Sequence, residues 1–314
     1  MKKMIIMMIG VLLLLSGTIC AGPLNPAQVS AEAKWVVHAN FDEFASSEMW
    51  WMISQELSKK DWKKIDAITK LFGSDPTKDI YGITLFGKDA KEENATVLIN
   101  GKYEKEKLLS LLSMNDEYAE SQYKGKTLYH WLDENDNKKK VGMFASEELI
   151  VISQSEDSVE AAADLLASEK DSLASAEDSA LAKLVDTRQD AIVVMAAEGL
   201  SELSKNRKNN TILRNSNMMA VVAGEENGDL YLHVDLTAET AEAAIQIEQI
   251  LGGIGSFIEL KHSDEPEVLA LLDSVILERT GKQLFLTVKY PSAKLFEMVK
   301  DRHLSDDKAC SDKP

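Results

Sequence analysis

Two hydrophobic periods take turns along this chain. Short runs with apolar residues at every second position alternate with longer runs repeating every three to four, so strands and helices are expected to alternate. Lys34 to Asn40 predicts an apolar-rich strand, and Asp42 the cap of a helix running to about Leu57. Trp62, Ile65, Ile68 and Leu71 then make a one-sided stripe with Lys63, Lys64 and Lys70 outside it, the pattern of an ordinary surface helix. Strands are expected at Ile80 to Gly87 and Ala95 to Tyr103, joined by the charged connection Lys88 to Asn94, and a helix from Glu104 to Leu112. Strands Thr127 to Leu132, Val141 to Ala145 and Leu149 to Ser153, with a helix from Glu156 to Ala167, complete this half.

The order then repeats. A strand at Asp190 to Ala196 leads to a short helix from Gly199 to Lys205. Strands Met218 to Gly224 and Leu230 to Leu236 flank the turn Glu226 to Asp229, and a helix runs from Ala238 to Leu251. Strands Ser274 to Glu278 and Gln283 to Lys289 precede a last helix from Ser292 to Lys300, with Pro291 where its missing N–H costs nothing. Asn227-Gly228 between alternating runs is a hairpin signal, because a type I′ turn needs positive φ at both central residues. Each half contains the split βαββαβ order, which folds as an antiparallel sheet with helices packed mainly on one face. The fold class is therefore read as α+β. Two pseudo-repeats, 32–170 and 171–300, each strand-helix-strand-strand-helix-strand(s)-helix, meet in the polar segment Ser168 to Asp190. Periodicity leaves open whether they share one sheet.

The N-terminus has a different character. Lys2 and Lys3 precede the apolar run Met4 to Leu15 and then small and polar residues, the order of a secretory signal peptide over 1–21. Cleavage after Ala21, or as late as Ala31, fits the preference for small residues, and the protein is expected to be exported to the periplasm, cell surface or extracellular space. Ile19 beside Cys20 makes a poor lipidation motif. With the leader removed, no membrane span is expected in the mature chain. Asp301 to Pro314, which carries Cys310, reads as a polar disordered tail.

Composition narrows the function. Among 314 residues, 35 are Lys or Arg and 52 Asp or Glu, a formal net charge of −17, which disfavours nucleic acid and anionic lipid. With 45% hydrophobic residues and two cysteines, the chain is a folded body held by its core rather than by disulfides.

The candidate chemistry is thin. Asp133 to Asn137 starts like a calcium loop, but Lys138 stands where glycine is needed and Phe144 where the bidentate Glu belongs, so it reads as a hairpin connection. Gly252-Gly253-Ile254-Gly255 lacks the strand and third glycine of a phosphate loop and is expected to end or kink a helix, or to admit another backbone. Ser121 and Lys124 have Ser-x-x-Lys spacing, but in a polar connection rather than a buried helix. His130 near Asp133 and Glu134, and His233 with Asp235 on one strand face, are the remaining base or ligand candidates, whereas His38 is expected to be packed with its ring nitrogens satisfied. No cofactor or metal site is expected. The candidate interaction surface is Met49, Trp50, Trp51 and Met52: consecutive apolar residues encircle a helix, so a single core-facing stripe cannot cover them all, unless the helix is sandwiched between the sheet and the stripe at Trp62 to Leu71.

Ala33 to His38, Lys78 to Gly87, Tyr129-His130-Trp131 and Leu251-Gly252-Gly253 together resemble an uncharacterised group of secreted bacterial hypothetical proteins. The resemblance covers most of the mature chain, implies the same duplicated α+β architecture, and transfers no activity. The sequence thus points first to an exported non-enzymatic envelope protein with a binding or structural role and a protein or apolar small-molecule partner. A carrier of an apolar ligand, and a hydrolase with an unrecognised site, are the alternatives.

Overall fold

A computed structural model describes residues 22–185, 188–204 and 211–300. The leader, the tail, Cys20 and Cys310 lie outside the described residues.

Within them, the alternating runs become twelve strands: β1 (Trp35–Asn40), β2 (Ile80–Gly87), β3 (Thr96–Gly101), β4 (Ala119–Tyr123), β5 (Lys126–Asp133), β6 (Lys138–Phe144), β7 (Leu149–Ser153), β8 (Ala191–Glu198), β9 (Ser216–Glu226), β10 (Asp229–Ala238), β11 (Val275–Thr280) and β12 (Gln283–Pro291). All pair antiparallel in a single sheet of order β11-β12-β10-β9-β8-β1-β2-β3-β7-β6-β5-β4. The two halves therefore share one sheet, joined at β1 and β8, where Val37 lies opposite Met195. Outward from this seam each half places its next two strands in chain order, β2-β3 on one side and β9-β10 on the other.

The helices are α1 (Phe41–Ser46), α2 (Glu48–Glu56), α3 (Lys59–Phe72), α4 (Lys105–Leu112), α5 (Glu156–Leu166), α6 (Ala180–Leu184), α7 (Leu200–Leu203), α8 (Thr211–Arg214), α9 (Ala241–Lys261), α10 (Pro266–Asp273) and α11 (292–300). Register shows that they use both faces. Val36, Phe86, Leu98, Val151, Val194 and Ala196 point to one face, where Val159, Ala162 and Leu165 of α5 and Leu181 of α6 complete the main core. Leu236 and Leu284 point to the other, against Ala243, Ala244 and Ile247 of α9.

Several elements differ from the sequence expectation. The helix predicted from Asp42 to Leu57 is two helices. Asn40, not Asp42, caps the first by accepting from the Glu43 N–H at 3.1 Å. Ser47 caps the second by accepting from the Trp50 N–H at 3.0 Å. A serine hydroxyl competing for the backbone N–H groups is what breaks the run. In α3 only Ile65 is buried, and Trp62, Ile68 and Leu71 are exposed, so this helix is not the second wall of a sandwich. Ser121 lies on a strand, β4, whose polar residues hid it; edge pairing with β5 forms it. Helix α9 runs on through Gly252, Gly253 and Gly255 to Lys261 without ending there, and a methyl group at any of the three would meet nothing within 4 Å.

Candidate functional site: an apolar cleft on the sheet

The strands nearest the seam are apolar on both faces, and the described residues roof one of those faces only in part. Cross-strand pairing aligns Leu85 of β2 with Val97 of β3, and Val97 with Ile152 of β7, in one apolar row. Trp35 and Ala197, opposite each other in β1 and β8, extend the same face. Gly87 is Trp35's partner on β2, and a methyl group there would come within 2.8 Å of the indole, so only glycine lets the ring lie against the strand. The indole is fixed at its far edge, where Nε1 donates to the Asp89 carbonyl at 2.7 Å.

Gly199 turns the chain out of β8 in the left-handed conformation (φ 64°), and α7 and α8 fold over the row. Leu200 and Leu203 of α7 and Leu213 of α8 form the opposing wall. The neighbouring Ile212 packs instead into the core beneath α9, which anchors that wall. The cleft has a volume of about 660 Å³, within the roughly 300–1,000 Å³ of small-molecule sites.

Polar groups stand at one rim: Lys91, Glu92, Lys140 and Gln154. They are already paired. Lys138 donates to Glu92 at 3.0 Å and, as the largest influence, holds that carboxyl below its ordinary range. Lys140 donates to Asp136 at 2.9 Å. Two hydroxyls also line the cleft, and both are turned to backbone carbonyls: Ser153 Oγ donates to Ala95 at 2.8 Å and Ser204 Oγ to Ser201 at 3.4 Å. Its chemistry is that of a container for apolar surface with a charged lip.

The structure also places each residue singled out from the sequence. His38 is buried with both nitrogens satisfied, by Thr84 Oγ1 at 2.9 Å and the Gly22 carbonyl at 2.5 Å. Asp133 to Asn137 forms the β5–β6 connection, with Asp133 accepting from the Asn135 N–H at 3.0 Å and Asn137 at φ 55°. Among the described residues no group of three or more His, Cys, Asp and Glu is placed to hold a metal ion.

His130 does not meet Asp133, which an odd spacing puts on the opposite face of β5. It meets Ser121 instead, whose Oγ lies 2.9 Å from His130 Nε2 and donates to Glu156 at 3.2 Å. Glu156 approaches that same Nε2, at 3.9 Å, rather than the far ring nitrogen, which is the one an orienting acid must bind in a nucleophile relay. Lys124 is drawn away from Ser121 to Asp164, at 2.7 Å, and Glu169, at 2.6 Å. His233 and Asp235 do share a face, and line an open depression with Lys183 and Arg188.

The apolar block of α2 separates sharply. Trp50 is 2% exposed, edge-on to Phe44 at 5.6 Å and packed with Ile192, while Trp51 is 62% exposed and Met49 and Met52 are half-buried. The cleft residues themselves were not singled out from the sequence. Their signal was there, in runs such as Ala191 to Ala197 and Leu149 to Ile152 that are apolar at consecutive positions, as strands covered on both faces must be.

The sequence matches no family profile and no curated protein. Its fold is similar to solved structures of TP0453. Crystal form III superposes with a TM-score of 0.47 at 10% identity, over 90% of this chain and 99% of that one. Crystal form IV gives 0.48 at 11%, over 88% and 96%.

Proposed function

We propose that this is an exported, non-enzymatic binding protein that carries a small apolar molecule in the cleft between the sheet and α7–α8. The supporting observation is the cleft of about 660 Å³, whose floor is the row Leu85, Val97 and Ile152 and whose wall is Leu200, Leu203 and Leu213. Exposed apolar surface of this extent costs free energy in water, roughly 25 cal/mol per Å², and a bound apolar molecule recovers it. Export is supported by the charged, apolar and small-residue order of residues 1–21. Duplication is supported by the matching placement of β2-β3 and β9-β10 about the β1–β8 seam.

The test is a titration with N-phenyl-1-naphthylamine, a neutral fluorophore that brightens in apolar surroundings, beside native mass spectrometry of protein purified from its own host. Wild type should show saturable enhancement and a bound small molecule. Leu85→Glu and Leu203→Glu, from floor and wall, should each weaken the probe at least tenfold with circular dichroism unchanged. A wild type without saturable enhancement, or variants that bind as wild type does, would refute the proposal.

A further inference from the structure

We infer that the removable leader ends before Gly22, so that residues 22–33 stay in the mature protein as a structural strap and the bond after Ala31 is not a processing site. The inference rests on the export reading of residues 1–21.

By side chains alone, Val29-Ser30-Ala31 is the better peptidase site, with small residues at the last and third-last positions. Packing decides against it. Leu24, Val29 and Ala33 belong to the same core cluster as Val36, Leu98 and Val151, and Val29 is 0% exposed. The strap is also fastened by its backbone. Asn25 caps the turn Pro26–Gln28 by accepting from the Ala27 N–H at 3.0 Å. The Leu173 N–H donates to the Val29 carbonyl at 2.7 Å, the Ala31 N–H donates to the Asp171 carbonyl at 3.0 Å, and Ser30 pairs with Ser172 as an antiparallel bridge. The strap thus holds down the connection between the two halves of the sheet.

Its first residue is the most constrained. His38 is buried, and its Nε2 donates to the Gly22 carbonyl. A methyl group on Gly22 would stand 1.9 Å from Asn40 Oδ1 and 2.8 Å from the Tyr81 carbonyl, so the position admits only glycine. The product of cleavage has to make the core by itself. A chain starting at Glu32 would fold without Leu24 and Val29, leave His38 Nε2 buried with no acceptor, and free the backbone of Asp171 to Leu173 from its partners. Burial of an unpaired donor and an unfilled core site are among the costliest single defects a fold can carry.

Exported protein, produced from the full chain, is analysed by intact mass and N-terminal sequencing. A terminus at Gly22 or upstream of it, with the leader gone, is expected. A terminus at Glu32 overturns this inference alone, an uncut Met1 chain in the exported fraction overturns the removable leader, and protein found only in the cytosol overturns the export reading. In parallel, chains starting at Gly22 and at Glu32 behind an initiator Met are made in the cytosol and melted. The first should unfold cooperatively and the second should lose the transition; equal melting temperatures would overturn the strap.

Discussion

His38 shows how much one side chain is asked to do. A carbonyl can only accept, so Nε2 carries the proton donated to Gly22 and Nδ1 accepts from the Thr84 hydroxyl. Burial pushes the imidazole from 6.5 down to about 4, against the smaller opposing pull of the Gly22 carbonyl. The unfolded chain therefore takes up this proton first. Stability is full above pH 6.5, falls as pH drops through the window down to about 4, and loses on the order of 3 kcal/mol there. Asp42 acts with the opposite sign: burial, then Glu43, raise it from 3.8 to about 6, so its ionisation costs stability as pH rises across that interval. Denaturant unfolding of wild type and His38→Gln at pH 7.5, 6 and 4.5 separates the two. The variant should be less stable at pH 7.5, and its deficit should shrink steadily towards pH 4.5; a deficit independent of pH would contradict the assignment. The sequence already marked His38 as a packed residue on an apolar strand, but its partners lie 16 and 46 positions away and no local pattern names them.

At the scale of elements, turn chemistry was the easiest to read and helix limits the hardest. Asn227 and Gly228 adopt φ of 55° and 80°, as a two-residue hairpin demands, because positive φ is a property of the residues themselves. Helix α9 is the counterexample. All its buried residues, Ala243, Ala244 and Ile247, fall in its first third, and beyond Gly252 none is buried, yet the helix continues to Lys261. Glycine weakens a helix without forbidding it, and no neighbouring backbone exploits the absent side chains. Replacing Gly252, Gly253 and Gly255 with Ala should therefore raise stability by about 0.5–1 kcal/mol per site and increase helical circular dichroism. A triple variant that melts lower than wild type would show that those glycines serve a close approach after all. Trp50 and Trp51 make the related point for α2: adjacent identical residues, one buried and one exposed, are distinguished by the turn at Ser47 and by Phe44 and Ile192, which no sequence window contains together.

For the whole molecule, the seam is the decisive feature. Val36 and Phe86 from one half share a core with Val194, Ala196 and Val222 from the other, and β1 supplies hydrogen bonds to both β2 and β8. Separating the halves would bare the long edge of β8 and uncover its core residues, conditions under which strands aggregate rather than persist. A fragment of residues 191–300 should accordingly show poor amide dispersion by NMR and no cooperative melt, and co-expression with residues 22–185 should restore both. Independent cooperative unfolding of the fragment would mean that the second half is a domain in its own right. No helix among the described residues is long and apolar enough to cross a membrane.

By itself the sequence determined the α+β class, the order of most strands and helices, the hairpin turns and the packed state of His38, because periodicity, φ preference and apolar content act over a few residues. Tertiary structure alone decided that both halves share one sheet, that helices lie on both its faces, that Leu24, Val29 and Ala33 belong to the core, and that Trp35, Leu85, Val97, Ile152 and Leu203 converge on a cleft. Each of these is a contact between segments distant in sequence. An apolar strand residue looks the same in the sequence whether a helix, a ligand or water stands over it.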